Sequence, residues 1–245
     1  GASGAGKTSL LNALCGRAFY GRMTGDVLLN ATQGLLEDYS SIVGFVPQDD
    51  IVHADLTVRE NLLYSGMFRL EKGTPKTTIK KLVDETLILL DLKHVSESLV
   101  GDAEHRGISG GQKKRVNMAV ELMARPLILF LDEPTSGLDA TCATIVVSAL
   151  KELARNGVTV VTVIHQPRFS IYNMFDQVII LARGGFIVYE GVPRDAVPYL
   201  ESLGYPLPAC ENAADFLLDV SSGSVARAGE MRIDDQASAD PAAMR

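Results

Sequence analysis

At 245 residues the chain can bury a sizeable core, and its 47% hydrophobic and 22% charged residues are the balance of an ordinary globular protein. A formal net charge of −7 excludes the clustered basic surface that nucleic-acid binding requires. Cys15, Cys142 and Cys210 are odd in number, far apart and without metal-ligand spacing, which excludes a disulfide framework or a zinc site, and no apolar run approaches the roughly 20 residues that cross a bilayer.

The first residues already form a motif. Gly1-Ala2-Ser3-Gly4-Ala5-Gly6-Lys7-Thr8 fits G-x-x-x-x-G-K-[ST], with Ser9 following and a helix expected from Lys7 to Leu14. Glycines let the backbone N–H groups curl round a phosphate, Lys7 adds a point charge, and the Thr8 hydroxyl can ligate magnesium. Short strands are expected at 27–29 and 42–46, and the second leads to Gln48, whose amide carbonyl can reach a metal or an attacking water. Asp49 and Asp50 beside it read as solvated. Segments 57–70 and 77–92 are helix-sized, joined by the turn signal Lys72-Gly73-Thr74-Pro75, and the second carries a broad apolar face.

Ser109-Gly110-Gly111-Gln112 then opens a helix. Two adjacent glycines let its backbone come close to a polyphosphate, and its N-terminus offers unpaired N–H groups and partial positive charge. The basic run Lys113–Arg115 that follows reads as a solvated helix face. The apolar strand 127–131 ends in Asp132 and Glu133, which the pleat is expected to point to different sides: one serves magnesium, the other acts as general base toward a water. Ser136-Gly137-Leu138-Asp139 is a turn into a helix at 140–156, with Asp139 at its N-cap position. A strand at 159–164 leads to His165, at the edge where a parallel sheet gathers its ligands. His53, His94 and His105 have no such placement. After a short helix, a strand at 177–181 and a second run across Gly184-Gly185 stand at hairpin spacing, and beyond about Ser221 the composition turns to that of a disordered linker. Strand–helix alternation gives an α/β class.

In this order, the phosphate loop, Gln48, Ser-Gly-Gly-Gln, Asp132-Glu133, Ser136–Asp139 and His165 resemble the nucleotide-binding domain of ABC transporters over nearly the whole chain. Val46-Pro47-Gln48-Asp49-Asp50, Arg106-Gly107-Ile108-Ser109-Gly110-Gly111, Ile164-His165-Gln166-Pro167-Arg168 and Ala214-Asp215-Phe216-Leu217-Leu218-Asp219-Val220 are similar to the G, or white–brown complex, subfamily. The resemblance implies a P-loop NTPase of ABC ATPase type: a mostly parallel sheet, a small antiparallel β subdomain and an inserted helical subdomain. It puts the nucleotide-binding domain at 1–222, the helical subdomain at about 57–124 and a linker at 223–245. ATP and Mg2+ are the implied ligands. Gly1, Ser3, Gly4, Ala5, Gly6, Lys7, Thr8 and Ser9 would hold the nucleotide, with Asp139 and with Ser109, Gly110, Gly111 and Gln112 of a second copy. Thr8, Gln48 and Asp132 would hold the metal, and Glu133, His165 and Gln48 would catalyse hydrolysis.

The family further implies export of lipid-like or amphipathic compounds, a homo- or heterodimer of such domains, and a transmembrane domain in the same full-length chain. It also implies a place on the cytoplasmic side of the membrane. The strand that normally precedes the phosphate loop and the membrane domain are both absent from these residues, so the resemblance implies a longer parent chain; Ala213 stands where the subfamily usually has proline. A soluble ABC ATPase acting in translation or DNA repair is the other reading. Gln48 and Ser109 are too close for a long coiled-coil insertion, and one cassette is present rather than two.

Overall fold

The computed structural model describes residues 1, 4–30, 32–33, 39, 41–102, 104–208 and 211–225, and it divides into two compact units: Thr8–His165, and Gly1–Lys7 with Gln166–Arg245. In chain order the larger unit holds α1 (Lys7–Leu14, from its second residue), β1 (Leu28–Leu29), β2 (Thr32–Gln33), β3 (Val43–Val46), α2 (Val58–Arg69) and α3 (Lys76–Leu89). A 3₁₀ turn at Lys93–Val95 leads to α4 (Gly110–Leu122), β4 (Ile128–Asp132), α5 (Ala140–Arg155) and β5 (Thr159–Val163).

β4 is the centre. It lies parallel to β3, with Val43 opposite Ile128, and parallel to β5, with Asp132 opposite Val163. All five of its residues are buried, as a strand covered on both faces requires. The pleat divides them: Leu129 and Leu131 join one core with Val46 and residues of the helices, whereas Ile128 and Phe130 join another with Leu11, Cys15 and Val163. Gly44 fits because the side chains of Leu129 and Pro126 fill the space where its own side chain would be. A Cβ there would stand 2.9 Å from Leu129 Cδ1 and 3.1 Å from Pro126 Cγ. β1 and β2 form a separate antiparallel pair.

Helices α2, α3 and α4 pack on one another, with Leu62, Val83, Leu87, Val116 and Met118 buried among them. α2 starts where it does because Thr57 and Glu60 form a capping box: the Glu60 N–H donates to Thr57 Oγ1 at 3.1 Å, and the Thr57 N–H donates to Glu60 Oε2 at 2.9 Å. Arg69 at its other end donates to both oxygens of Glu121 on α4, at 2.7 and 2.8 Å. Glu121 Oε2 also accepts the N–H of Phe45 in β3, so one carboxylate joins two helices to the sheet. α3 is shorter than the expected 77–92. It ends at Leu89, Asp91 turns at φ +51°, and Leu90 and Leu92 are buried beyond the helix.

The smaller unit contains α6 (Phe169–Tyr172), the antiparallel pair β6 (Val178–Leu181) and β7 (Ile187–Gly191), α7 (Ala196–Ser202) and α8 (Ala213–Ser222). Its core is Tyr172, Ile180, Tyr189, Ala196, Leu200, Phe216 and Leu217. The Tyr172 hydroxyl donates to the Pro193 carbonyl at 3.0 Å, and burial pushes its pKa up to about 12. Asn212 caps the start of α8, and Gly223 ends it at φ +78°. Most of the expected linker, residues 226–245, lies outside the described residues.

Candidate functional site

The three parallel strands end together, and the residues just past their carboxyl ends are the polar ones. Gln48 comes two residues after β3, Glu133 one residue after β4, and His165 two residues after β5. This is the edge of an open parallel sheet where ligands bind. Asp132, the last residue of β4, is 5% exposed. The Thr8 hydroxyl on α1 donates to Asp132 Oδ1 at 3.2 Å, joining the residue after the phosphate-loop lysine to the strand carboxylate.

Glu133 does not continue the pleat. Its backbone turns to φ +48°, held there by its N–H on the Val163 carbonyl and by the Ser136 N–H on its own carbonyl, both at 3.0 Å. A non-glycine residue held at positive φ stores about 1–3 kcal/mol, and such strain gathers at functional positions. The sequence expectation that Asp132 and Glu133 diverge through strand alternation is thus replaced by a backbone turn at Glu133. Gln48 Nε2 donates to Glu133 Oε2 at 3.3 Å. His165 is exposed, and its ring makes no hydrogen bond to another described residue.

Two helix starts carry the other expected residues. Ser109 and Gln112 form a reciprocal capping box, the Gln112 N–H donating to Ser109 Oγ at 3.3 Å and the Ser109 N–H to Gln112 Oε1 at 2.9 Å. Ser109 and Gly110 are exposed, and the space around Gly110 is open to 4 Å. A Cβ on Gly111 would meet Leu138 at 3.3 Å and Cys142 at 3.8 Å, so the starts of α4 and α5 adjoin. Asp139 caps α5 by accepting the N–H groups of Thr141 and Cys142 at 2.8 and 2.9 Å. The Cys142 bond is the leading reason its carboxyl stays below the usual carboxylate range.

Within the smaller unit, Gly4 and Gly6 of the phosphate loop take φ of +72° and +87°, a backbone that favours glycine, and Lys7 Nζ donates to the Gly1 carbonyl at 3.1 Å. Ala5 is buried; Ser9, in the larger unit, is exposed on the first turn of α1. Ser3 lies outside the described residues.

The family model for "ABC transporter" matches residues 1–136 of the chain, more than half its length. The chain belongs to the ABC transporter family. A second family model, for "ABC-2 type transporter", matches residues 165–238 of this ABC chain. The chain is 45% identical to ABC transporter G family member 25 of Oryza sativa subsp. japonica over 91% of its own length and 22% of the relative's. It is 46% identical to ABC transporter G family member 28 of Arabidopsis thaliana over 91% and 20%. These relatives agree with the G-subfamily features of the sequence. The ABC chain spans about a fifth of their length.

Among solved structures, a dimeric ATP-binding cassette in a post-hydrolysis state bound to ADP and Pi superposes with a TM-score of 0.63 at 25% identity, covering 79% of this chain and 83% of that one. cbiO1 from Clostridium perfringens, part of an ABC transporter complex, superposes with a TM-score of 0.66 at 24% identity, covering 83% and 79%. The expected ABC ATPase fold, with its parallel sheet and small antiparallel pairs, is the fold observed. No helix among the described residues is long and apolar enough to cross a membrane.

A further sequence reading of this ABC domain is overturned. Lys113–Arg115 is not a solvated face: Lys114 and Arg115 are 6% and 4% exposed, because α4 lies between α2, α3 and β3 and is buried over most of its circumference. Lys114 Nζ donates to the Gln48 carbonyl and stands 3.4 Å from Asp50 Oδ1, and Arg115 Nη1 stands 3.4 Å from Asp91 Oδ2. Asp50 therefore has a buried partner too. His94, given no role from sequence, lies with Nε2 3.2 Å from Gln112 Nε2. No spacing rule marks these contacts.

Proposed function

We propose that the domain binds and hydrolyses ATP to drive export of lipid-like or amphipathic compounds, as the nucleotide-binding domain of a G-subfamily transporter. The observation that carries this reading is the pairing of two acids with two oriented partners at the sheet edge: Asp132 with the Thr8 hydroxyl and Glu133 with the Gln48 amide. The first pair suits magnesium, a hard cation that takes oxygen ligands and commonly binds through one or two carboxylates plus substrate phosphates. Thr8, Asp132 and the amide oxygen of Gln48 would hold it. Bound magnesium neutralises charge on the β- and γ-phosphate oxygens.

In the proposed reaction, the backbone N–H groups of the phosphate loop and the Lys7 ammonium bind the phosphates. Glu133, oriented by Gln48, takes a proton from water as the water oxygen bonds to the γ-phosphorus and the bond to the ADP oxygen breaks. His165 supplies a donor to a γ-phosphate oxygen. The helix starts at Ser109–Gln112 and Asp139 are read as parts of a composite site, with Ser109, Gly110, Gly111 and Gln112 reaching the nucleotide of a second, identical or related domain. The exposure of Ser109, Gly110 and Asp139 and the open space at Gly110 support this. A transmembrane domain in the same full-length chain is the further partner, with this domain on the cytoplasmic face; the lengths of the G-family relatives and the ABC-2 type match support it. The soluble reading in translation or DNA repair has no such support.

The test is transport. Inside-out vesicles carrying the full-length protein should accumulate a fluorescent sterol or amphipathic dye with ATP and magnesium. Uptake that proceeds equally with a non-hydrolysable analogue, or no uptake of any such compound, would overturn the reading.

A further inference from the structure

Two buried side chains of α4 grip the loop that carries Gln48. Lys114 Nζ donates to the backbone carbonyl of Gln48 and lies 3.4 Å from Asp50 Oδ1, with the Lys114 side chain 7% exposed. Asn117, three residues on and 3% exposed, accepts the Ile51 N–H on Oδ1 at 3.3 Å and donates from Nδ2 to the Asp49 carbonyl at 3.4 Å. Residues three apart on a helix share a face, so one face of α4 holds backbone groups of Gln48, Asp49 and Ile51.

Burying an ammonium carries a desolvation cost that an apolar side chain of the same volume would avoid. Here it is offset by a backbone carbonyl and a carboxylate, and the carbonyl belongs to the residue whose amide bonds Glu133 at 3.3 Å. The chain of contacts therefore runs from Ser109 and Gln112 at the start of α4, along less than two turns of helix, through Lys114 to Gln48 and on to Glu133. A hydrogen-bonded helix of 13 residues is stiff over that distance.

We propose that Lys114, assisted by Asn117, is a positioning residue: it fixes the Gln48 backbone so that the Gln48 amide meets Glu133, and it makes the Gln48 loop move with α4. The inference rests on the hydrolytic reading of Glu133. A displacement at the Ser109 end of α4 is then transmitted to the Gln48–Glu133 contact. Lys114 acts only through Gln48, which gives the proposal a signature that a purely structural role lacks.

The experiment is a double-mutant cycle on the full-length protein in lipid nanodiscs, reading kcat and KM for ATP together with the melting temperature. Lys114→Met keeps the volume and removes the donor. It should lower kcat about tenfold, since small misplacements of a catalytic group have such effects, and leave KM for ATP within about twofold. In a Gln48→Ala background the same substitution should change kcat by less than about twofold, because the group it positions is gone. An equal fold-loss in both backgrounds, or no loss in either, overturns the proposal. If Lys114→Met does not melt as a folded protein, Asn117→Ala is carried through the same cycle and decided by the same criterion. A parent protein that binds ATP but does not hydrolyse it would remove the functional reading, and this inference with it.

Discussion

Glu133→Gln separates chemistry from folding, because the contacts that hold the backbone of residue 133 do not involve its charge. The N–H to the Val163 carbonyl and the Ser136 N–H to the Glu133 carbonyl both survive, and the positive φ is imposed by those bonds. The Glu133 side chain accepts the 3.3 Å bond from Gln48, which an amide oxygen can still accept. Losing the charge assistance of a single exposed bond costs about 1 kcal/mol at most. For a domain of this size that is a shift of about 2–4 °C in melting temperature. Loss of a general base costs about 10²–10⁴-fold in rate, or about 2.7–5.4 kcal/mol in the barrier. The two effects differ enough to be read apart. The assay is phosphate release at saturating ATP and magnesium, with nucleotide binding and thermal unfolding measured on the same preparation of full-length protein. Turnover should fall at least a hundredfold while binding and melting stay near the parent values. Hydrolysis within threefold of the parent would refute the assignment of Glu133 as base.

Leu129→Ala, at a fully buried position in the central strand, should destabilise the domain by about 2–5 kcal/mol in denaturant titrations; a loss below 1 kcal/mol would mean that the core there can collapse around the cavity. Asp139 is held below the usual carboxylate range, first by the Cys142 N–H and also by that of Thr141. A depressed folded-state pKa contributes stability above the ordinary carboxylate range, and that contribution is lost as pH falls through the depressed value. Asp139→Asn keeps an acceptor at the cap and should make the acid limb of the stability profile shallower; an unchanged limb would remove Asp139 from the acid response.

The parts of the site that the sequence made legible are those where local backbone geometry restricts the residue type. Gly4 and Gly6 are glycine because their φ values are positive, and Asp132 and Glu133 follow an apolar run because β4 is buried on both faces. Helix boundaries were readable where caps mark them, as at Asp139 and Asn156, where α5 starts and stops as expected. α3 ended early because Asp91 adopts a left-handed turn that no Gly or Pro announces. The left-handed backbone of Glu133 was illegible for the same reason. The fate of Lys114 was illegible because its partners, Gln48 and Asp50, are more than sixty residues earlier in the chain, and a charge run carries no record of what will be packed over it. α7 was missed too: seven residues containing Pro198 give too little periodicity to read.

The pairing of Val43 with Ile128 constrains how the domain comes into being. The partners are roughly 85 residues apart, and closing so long a loop costs about 4 kcal/mol beyond a constant if the chain between is flexible. The chain between is α2, α3 and α4, whose mutual contacts are more local and can form first, drawing the two strands nearer. During synthesis at about 5–20 residues per second, β3 is made roughly 4–17 s before β4. For that interval the backbone groups of β3 that pair with β4 have no native partner, although its side chains already suit a buried sheet. The most vulnerable moment of this domain thus falls before its central strand exists, and β3 is the element that a holding chaperone would have to shield.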